Sequence, residues 1–181
     1  MDLTVIGALP YGDVRAECHF ARAGVVFLDD AIRIAQALPP RSVLVPVPGH
    51  DGSVASTMRL ARAVAKEALA IGKQAFLRPL LTGASRESLY EVKKAGGDPR
   101  TVTLGFRLRY PVYDRRELDT FRRYLGCEVV LVDNVVDTGR TASEAAAVVG
   151  ARLVAAIGVT GKAALKQETI NTEPSCSAST V

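Results

Sequence analysis

The chain has 181 residues, of which 48% are hydrophobic and 23% charged, with a formal net charge of +4 and a pI near 9.1. That length encloses one core rather than two, and no apolar run reaches the roughly 20 residues a membrane-spanning helix needs. The positive balance suits an anionic ligand, whereas a nucleic-acid partner is not expected: aromatic residues make up only 6% of the chain and no helix-turn-helix or zinc pattern occurs.

In chain order, residues 3–8 predict a first strand. Residues 25–38 carry Val25, Leu28, Ile32, Ala35 and Leu38 close to a helical stripe, and Pro39-Pro40 ends that helix. Residues 42–47 predict a strand rich in β-branched side chains. The loop Pro48, Gly49, His50, Asp51, Gly52 follows, then a helix over 54–70 and a strand over 75–80. Residues 81–99 hold Gly83, Gly96, Gly97 and Pro99 among charges and predict a mobile excursion, with a helical turn near 87–94. A strand over 101–107, a helix over 117–125, a strand over 128–132, a helix over 141–149 and a strand over 152–159 complete the pattern. Strands alternating with helices imply an α/β fold in which helices flank one parallel sheet. Residues 1–160 are expected to form the domain, and 161–181, rich in Thr, Ser and Glu without apolar period, a disordered tail.

The run V-V-L-V-D-N-V-V-D-T-G-R-T, from Val129 to Thr141, carries the most chemistry. Its apolar start reads as a central strand covered on both faces, and Asp133 falls where that strand is expected to end, at the edge where parallel sheets place ligands. Asp137, Thr138, Gly139, Arg140 and Thr141 then offer consecutive N–H groups, two hydroxyls and a glycine that lets backbone approach an anion. Thr141-Ala142-Ser143-Glu144 has the form of a capping box, so a helix N-terminus should point at this loop. An ordinary strand-turn-helix connection, with Asp137 and Gly139 as turn formers, is the plain alternative.

This run resembles the phosphoribosyl-pyrophosphate (PRPP) signature of the type I phosphoribosyltransferases, in which hydrophobic residues precede two acids, two apolar residues and a T-G-x-T loop. The resemblance implies that family's Rossmann-like fold and transfer of the phosphoribosyl group of PRPP to a nitrogen of a nucleobase-like acceptor, with release of pyrophosphate. Asp133 and Asn134 would then hold the ribose hydroxyls, and Asp137 to Thr141 the 5-phosphate. Asn134 departs from the family's second acid, and it hydrogen-bonds without ionising. The order V-D-T-G is similar to the purine-salvage branch, which makes Asp137 the candidate for proton transfer. Shaping the turn is its alternative role.

Val45-Pro46-Val47-Pro48 is similar to the start of the pyrophosphate loop in the competence-protein-F branch. By that likeness Pro48, Gly49, His50, Asp51 and Gly52 face the leaving group, Gly49 and Gly52 through backbone N–H groups. A loop in the position of 81–99 closes over the reacting centre in family members, so Lys93, Lys94 and Arg100 are the cations expected to reach pyrophosphate. Mg2+ is the implied cofactor, with Asp133 as its candidate protein ligand. A homodimer is expected by the same likeness. A non-catalytic PRPP-binding or nucleotide-binding regulator, or a competence-type accessory protein, is the second function class, and Asn134 favours it.

Other signals are negative or ambiguous. Gly158-Val159-Thr160-Gly161-Lys162 lacks the spacing of a P-loop, and two separate histidines, His19 and His50, do not make a zinc site. Cys18, Cys127 and Cys176 have no metal-clip spacing and read as reduced thiols, Cys127 as core filler. The acid in Met1-Asp2-Leu3 stands where a signal peptide carries basic residues, so a cytoplasmic location is expected. Tyr11, Phe20 and Phe27 either stack on an acceptor base or pack in the core.

Overall fold

The apolar runs at 43–47 and 129–132 sit side by side in the centre of one sheet because both of their faces need cover, which only helices on both sides of a parallel sheet provide. The computed structural model describes residues 3–161 and 166–167. Its strands are β1 (Thr4–Ile6), β2 (Leu9–Pro10), β3 (Arg41–Pro46), β4 (Gln74–Leu77), β5 (Leu81–Thr82), β6 (Arg107–Leu108), β7 (Glu128–Val136), β8 (Leu153–Val159) and β9 (Lys166–Gln167). The main sheet runs β4-β3-β7-β8-β1-β9 with β2 also on β8, all parallel, and β5 pairs antiparallel with β6. The predicted α/β class with a parallel sheet flanked by helices is what the chain forms. The tail predicted over 161–181 lies outside the described residues, except for Gly161 and the short β9.

The helices are α1 (Arg15–Arg22), α2 (Leu28–Ala37), α3 (Ala55–Ala70), α4 (Leu89–Lys94), α5 (Pro111–Arg123) and α6 (Arg140–Val149). One core layer joins Leu44, Val130, Val132 and Ile157 to Cys18 of α1, Ile34 of α2 and Leu60 and Val64 of α3. The opposite layer joins Val43, Val45, Val129, Leu131 and Val154 to Leu118 and Phe121 of α5 and Ala142, Ala145 and Val149 of α6. Alternate residues of each central strand therefore feed opposite cores, as the period of two requires.

Crossovers carry β3 through α3 outward to β4, and β7 through α6 in the other direction to β8. Chain direction thus diverges between neighbouring β3 and β7. Their pairing ends at Pro46 opposite Val132, while β7 stays paired with β8 as far as Val136 opposite Val159. A crevice opens beyond Val132 at the carboxyl edge, the place where open α/β sheets take ligands.

Three expectations are corrected. The strand over 101–107 does not form: Gly105 turns left-handed at φ +63°, Leu104 is buried as a plug, and pairing is confined to Arg107–Leu108. The helix expected over 117–125 starts earlier, because Pro111 occupies its first turn and the Asp114 carboxylate accepts from Tyr110 N–H at 2.6 Å. Helix α1 was not anticipated: its buried face is only Cys18 and Ala21, too few apolar residues to stand out as a stripe. Among the described residues, no helix is long and apolar enough to cross a membrane.

Candidate functional site

At the end of β7 the chain turns through Asp137-Thr138-Gly139 into α6. Gly139 is the residue before the helix and adopts φ +80°, which only glycine reaches without strain. The predicted capping box is not formed. Helix α6 begins at Arg140, which places Thr141 inside the first turn, and Glu144 pairs with Arg140 Nε at 2.9 Å instead of reaching back. Gly139 has no side chain to cap this helix; Thr138 Oγ1 accepts from Arg140 N–H at 3.4 Å, while among the described residues the N–H groups of Thr138, Gly139, Thr141 and Ala142 find no acceptor. A helix start with these donors open beside a left-handed glycine leaves them and its positive dipole end for an anion. The Asp137 carboxylate is exposed and accepts from Thr160 Oγ1 at 2.7 Å, so β8 holds it at the mouth of the loop.

Asp133 and Asn134 do not stand at the end of their strand, since β7 runs on to Val136 along β8. They do stand past the last β3 pair, on the open side of the crevice. The Asp133 carboxylate folds onto its own backbone and accepts from Asn134 N–H at 2.7 Å. Burial pushes its pKa up to about 6, partly offset by that hydrogen bond and by Arg22. Asn134 is buried, donates to Ser56 Oγ of α3 at 3.2 Å, and its Oδ1 finds no partner among the described residues.

The raised value of Asp133 has a definite sign. The folded state keeps a proton that the unfolded chain releases near pH 4, so this group's contribution is fully present below about pH 4 and is lost as pH rises through about 6. Urea midpoints of the wild type should therefore fall relative to those of Asp133→Asn across that window. Parallel curves for the two proteins would show that Asp133 is not held in this way.

The loop after β3 is closed by its own turns. Gly49 N–H donates to Ser53 O at 2.8 Å and Gly52 N–H to Gly49 O at 3.1 Å. The two glycine donors expected to face a ligand are thus used within the loop. The N–H groups of His50 and Asp51 remain without acceptors among the described residues. The Asp51 carboxylate accepts from Ser53 N–H at 2.9 Å, fixing the loop's shape. Gly52 has φ +77°, and a side chain there would strike Gly83 O at 2.7 Å, so the excursion packs directly on this loop.

Lys93, Lys94 and Arg100 are exposed on α4 and the single turn after it, and they make no ion pair among the described residues. The cations that do join the excursion to the two loops are Arg86 and Arg140. Arg86 Nη1 donates to Gly49 O at 3.3 Å, its N–H donates to His50 O at 2.8 Å, and its guanidinium lies over Phe106, 5.3 Å from the ring centroid. Burial lowers its pKa, and its buried Nε has no acceptor. Arg140 donates to Pro99 O, and to Val102 O at 2.6 Å. Sequence spacing gives no signal for either contact, because the partners lie 37 and 41 residues apart. Arg140→Ala should therefore release residues 99–102, seen as several-fold faster first cleavage in that segment by limited proteolysis and mass spectrometry. An unchanged rate would mean that the segment is held by other contacts.

Of the three aromatic residues considered for base stacking, Phe20 and Phe27 are exposed and meet edge-to-face, 5.6 Å between centroids, away from both core layers. Tyr11 alone lies at the carboxyl edge, half-buried, with its N–H bonded to Val159 O at 2.8 Å. Burial pushes the Cys18 thiol up to about 11 and raises Cys127 as well, so both are inert fillers. Among the described residues no three His, Cys, Asp or Glu side chains converge as a metal cage.

Comparison with protein-family models, with curated proteins and with solved structures finds no match for this chain. Function is then read from the site itself.

Proposed function

We propose that the chain is a phosphoribosyltransferase of the type I kind, which binds PRPP across the crevice between β3 and β7 and transfers its phosphoribosyl group to a nitrogen acceptor. The observation that carries the proposal is the left-handed Gly139 turn with its open N–H donors at the switch point of a parallel sheet, beside the second N–H-bearing loop on the adjacent strand. Thr138 to Ala142 would take the 5-phosphate, His50 and Asp51 the pyrophosphate through their N–H groups, and Asp133 a ribose hydroxyl. Holding both phosphate ends on rigid backbone donors aligns the scissile bond and disperses the departing charge. Tyr11, which packs half-buried against the core at the same edge, would be the residue to meet the acceptor ring.

Magnesium neutralises pyrophosphate charge when bound, and it usually keeps substrate oxygens and water as most of its ligands. The residues present fit that mode, with Asp133 as the carboxylate that would hold it and no protein cage required.

A second reading keeps the same ligand without turnover. It is favoured by Asn134, whose side chain is tied to Ser56 and carries no charge toward the reacting carbon. Incubation with PRPP, magnesium and a panel of nucleobases, followed by pyrophosphate release, separates the two. Release with one base supports transfer; saturable PRPP binding without release for every base supports a sensor. Absence of PRPP binding overturns both.

A further inference from the structure

Sequence composition argues against nucleic acid because aromatic residues are scarce, yet the fold gathers them. Three of the five tyrosines, Tyr110, Tyr113 and Tyr124, lie on α5 or at its ends and are 62%, 78% and 81% exposed. Tyrosine rings this open to water are not part of either core layer. Leu118 and Phe121 bury the inner side of the helix. Tyr113 and Tyr124 stand eleven residues apart, about 16 Å along the axis, and Arg116 and Arg123 stand one heptad apart, about 10 Å. Both spacings are near whole numbers of turns, so each pair keeps to the side facing away from the core.

The charge of this face is one-sided. Residues 107–124 hold six arginines against three acids. Two of those acids are already engaged, Asp114 with Tyr110 N–H and Glu117 with Arg78, which leaves Asp119. Arg122 caps the carbonyls of Val149 and Gly150 at the end of α6. Arg116 and Arg123 are exposed and make no side-chain bond among the described residues. Unpaired guanidinium groups beside open aromatic rings offer a phosphate contact and a stacking surface together, which is the chemistry of a flexible single strand with accessible bases.

We infer that the outer face of α5 binds single-stranded nucleic acid, with bases on Tyr113 and Tyr124 and phosphates on Arg116 and Arg123. This surface belongs to α5 and uses none of the residues assigned to PRPP. The inference therefore stands or falls independently of the proposed transfer activity.

The test is fluorescence anisotropy of labelled oligothymidylate and oligouridylate, about 20 nucleotides long, against the full chain. A duplex of equal length and unlabelled polyglutamate serve as competitors. Expected are binding that weakens steeply between about 50 and 200 mM salt and quenching of tyrosine fluorescence, which is readable because the chain has no tryptophan. Tyr113→Ala with Tyr124→Ala should weaken single-strand binding about tenfold or more. Arg116→Ala with Arg123→Ala should reduce the log–log salt slope by about 1.4, and Asp133→Asn should leave binding intact. Comparing the two oligonucleotides decides between DNA and RNA. No binding at low salt, equal binding of duplex and of the tyrosine variant, or displacement by polyglutamate as effective as by oligonucleotide would overturn the inference; the last would mark an acidic-protein docking face instead. All four substitutions are exposed, and unchanged melting curves confirm that the variants are folded.

Discussion

Gly139→Val should abolish useful binding of PRPP and of ribose 5-phosphate, lowering affinity by roughly 100-fold, while the protein stays folded. The backbone at this position has φ +80°, where a β-branched side chain is a steric outlier costing about 1 to 2 kcal/mol. For a chain of this size that strain lowers the melting temperature by only about 2–4 °C per kcal/mol. The larger effect is local. Relief of the strain rotates the peptide groups on either side of residue 139, so the N–H groups of Thr138, Gly139 and Thr141 cease to converge. Hydrogen bonds to a charged group are worth about 1.5 to 3 kcal/mol each, so losing two is enough for the predicted fall.

Gly126 supplies the control, since it is also left-handed at φ +61° and a side chain there meets open space. Gly126→Val should cost similar stability and leave ligand affinity unchanged. Isothermal titration calorimetry with ribose 5-phosphate and thermal melts of both variants decide the matter. Equal affinity losses in the two variants would show that general destabilisation, and not the cradle, accounts for the effect.

The site's position was legible in the sequence because it rests on short-range signals. A β-branched run followed by acid, glycine and threonine marks a buried strand entering a turn, and the structure places that turn at the switch point of the sheet. The class of fold was readable for the same reason: strand and helix periods alternate cleanly over β3, α3, β7, α6 and β8. What escaped was set by contacts distant in sequence. Thr101-Val102-Thr103-Leu104 has β-forming side chains, yet Leu104 is a buried plug and Val102 O is taken by Arg140 from 38 residues away. The capping box failed because Gly139 starts the helix sooner and Arg140 captures Glu144. Lys93 and Lys94 were conspicuous as a charge pair. The contacts of Arg86 were not, because its burial against Phe106 and its bond to Gly49 O exist only once the excursion has folded back. The start of α5 was available in principle, from Pro111 in the first turn and Asp114 reaching back to Tyr110 N–H.

Asp137→Asn should lower turnover by about 10²- to 10⁴-fold, the range of general acid–base catalysis, while PRPP affinity changes by less than about threefold. The substitution tests chemistry because it keeps the local geometry. An asparagine oxygen accepts from Thr160 Oγ1 as the carboxylate does at 2.7 Å, so the turn into α6 keeps its anchor. What is lost is the charge and the capacity to take a proton from an attacking nitrogen. Thr160→Val is the complementary variant: it removes the anchor and keeps the carboxylate. A proton-transfer role predicts that Asp137→Asn falls mainly in kcat, whereas Thr160→Val, which misplaces the acid, loses less turnover and shifts the pH profile of kcat. A turn-shaping role predicts the reverse: Asp137→Asn, which keeps the anchor, changes little, while Thr160→Val, which removes it, disturbs the backbone and lowers PRPP affinity and kcat together. Steady-state kinetics for whichever base supports pyrophosphate release, with PRPP affinity measured separately by calorimetry, distinguishes the two. The contrast is sharp because Asp137 is exposed, so neither substitution leaves a buried group unpaired and neither should obscure the result by unfolding the protein.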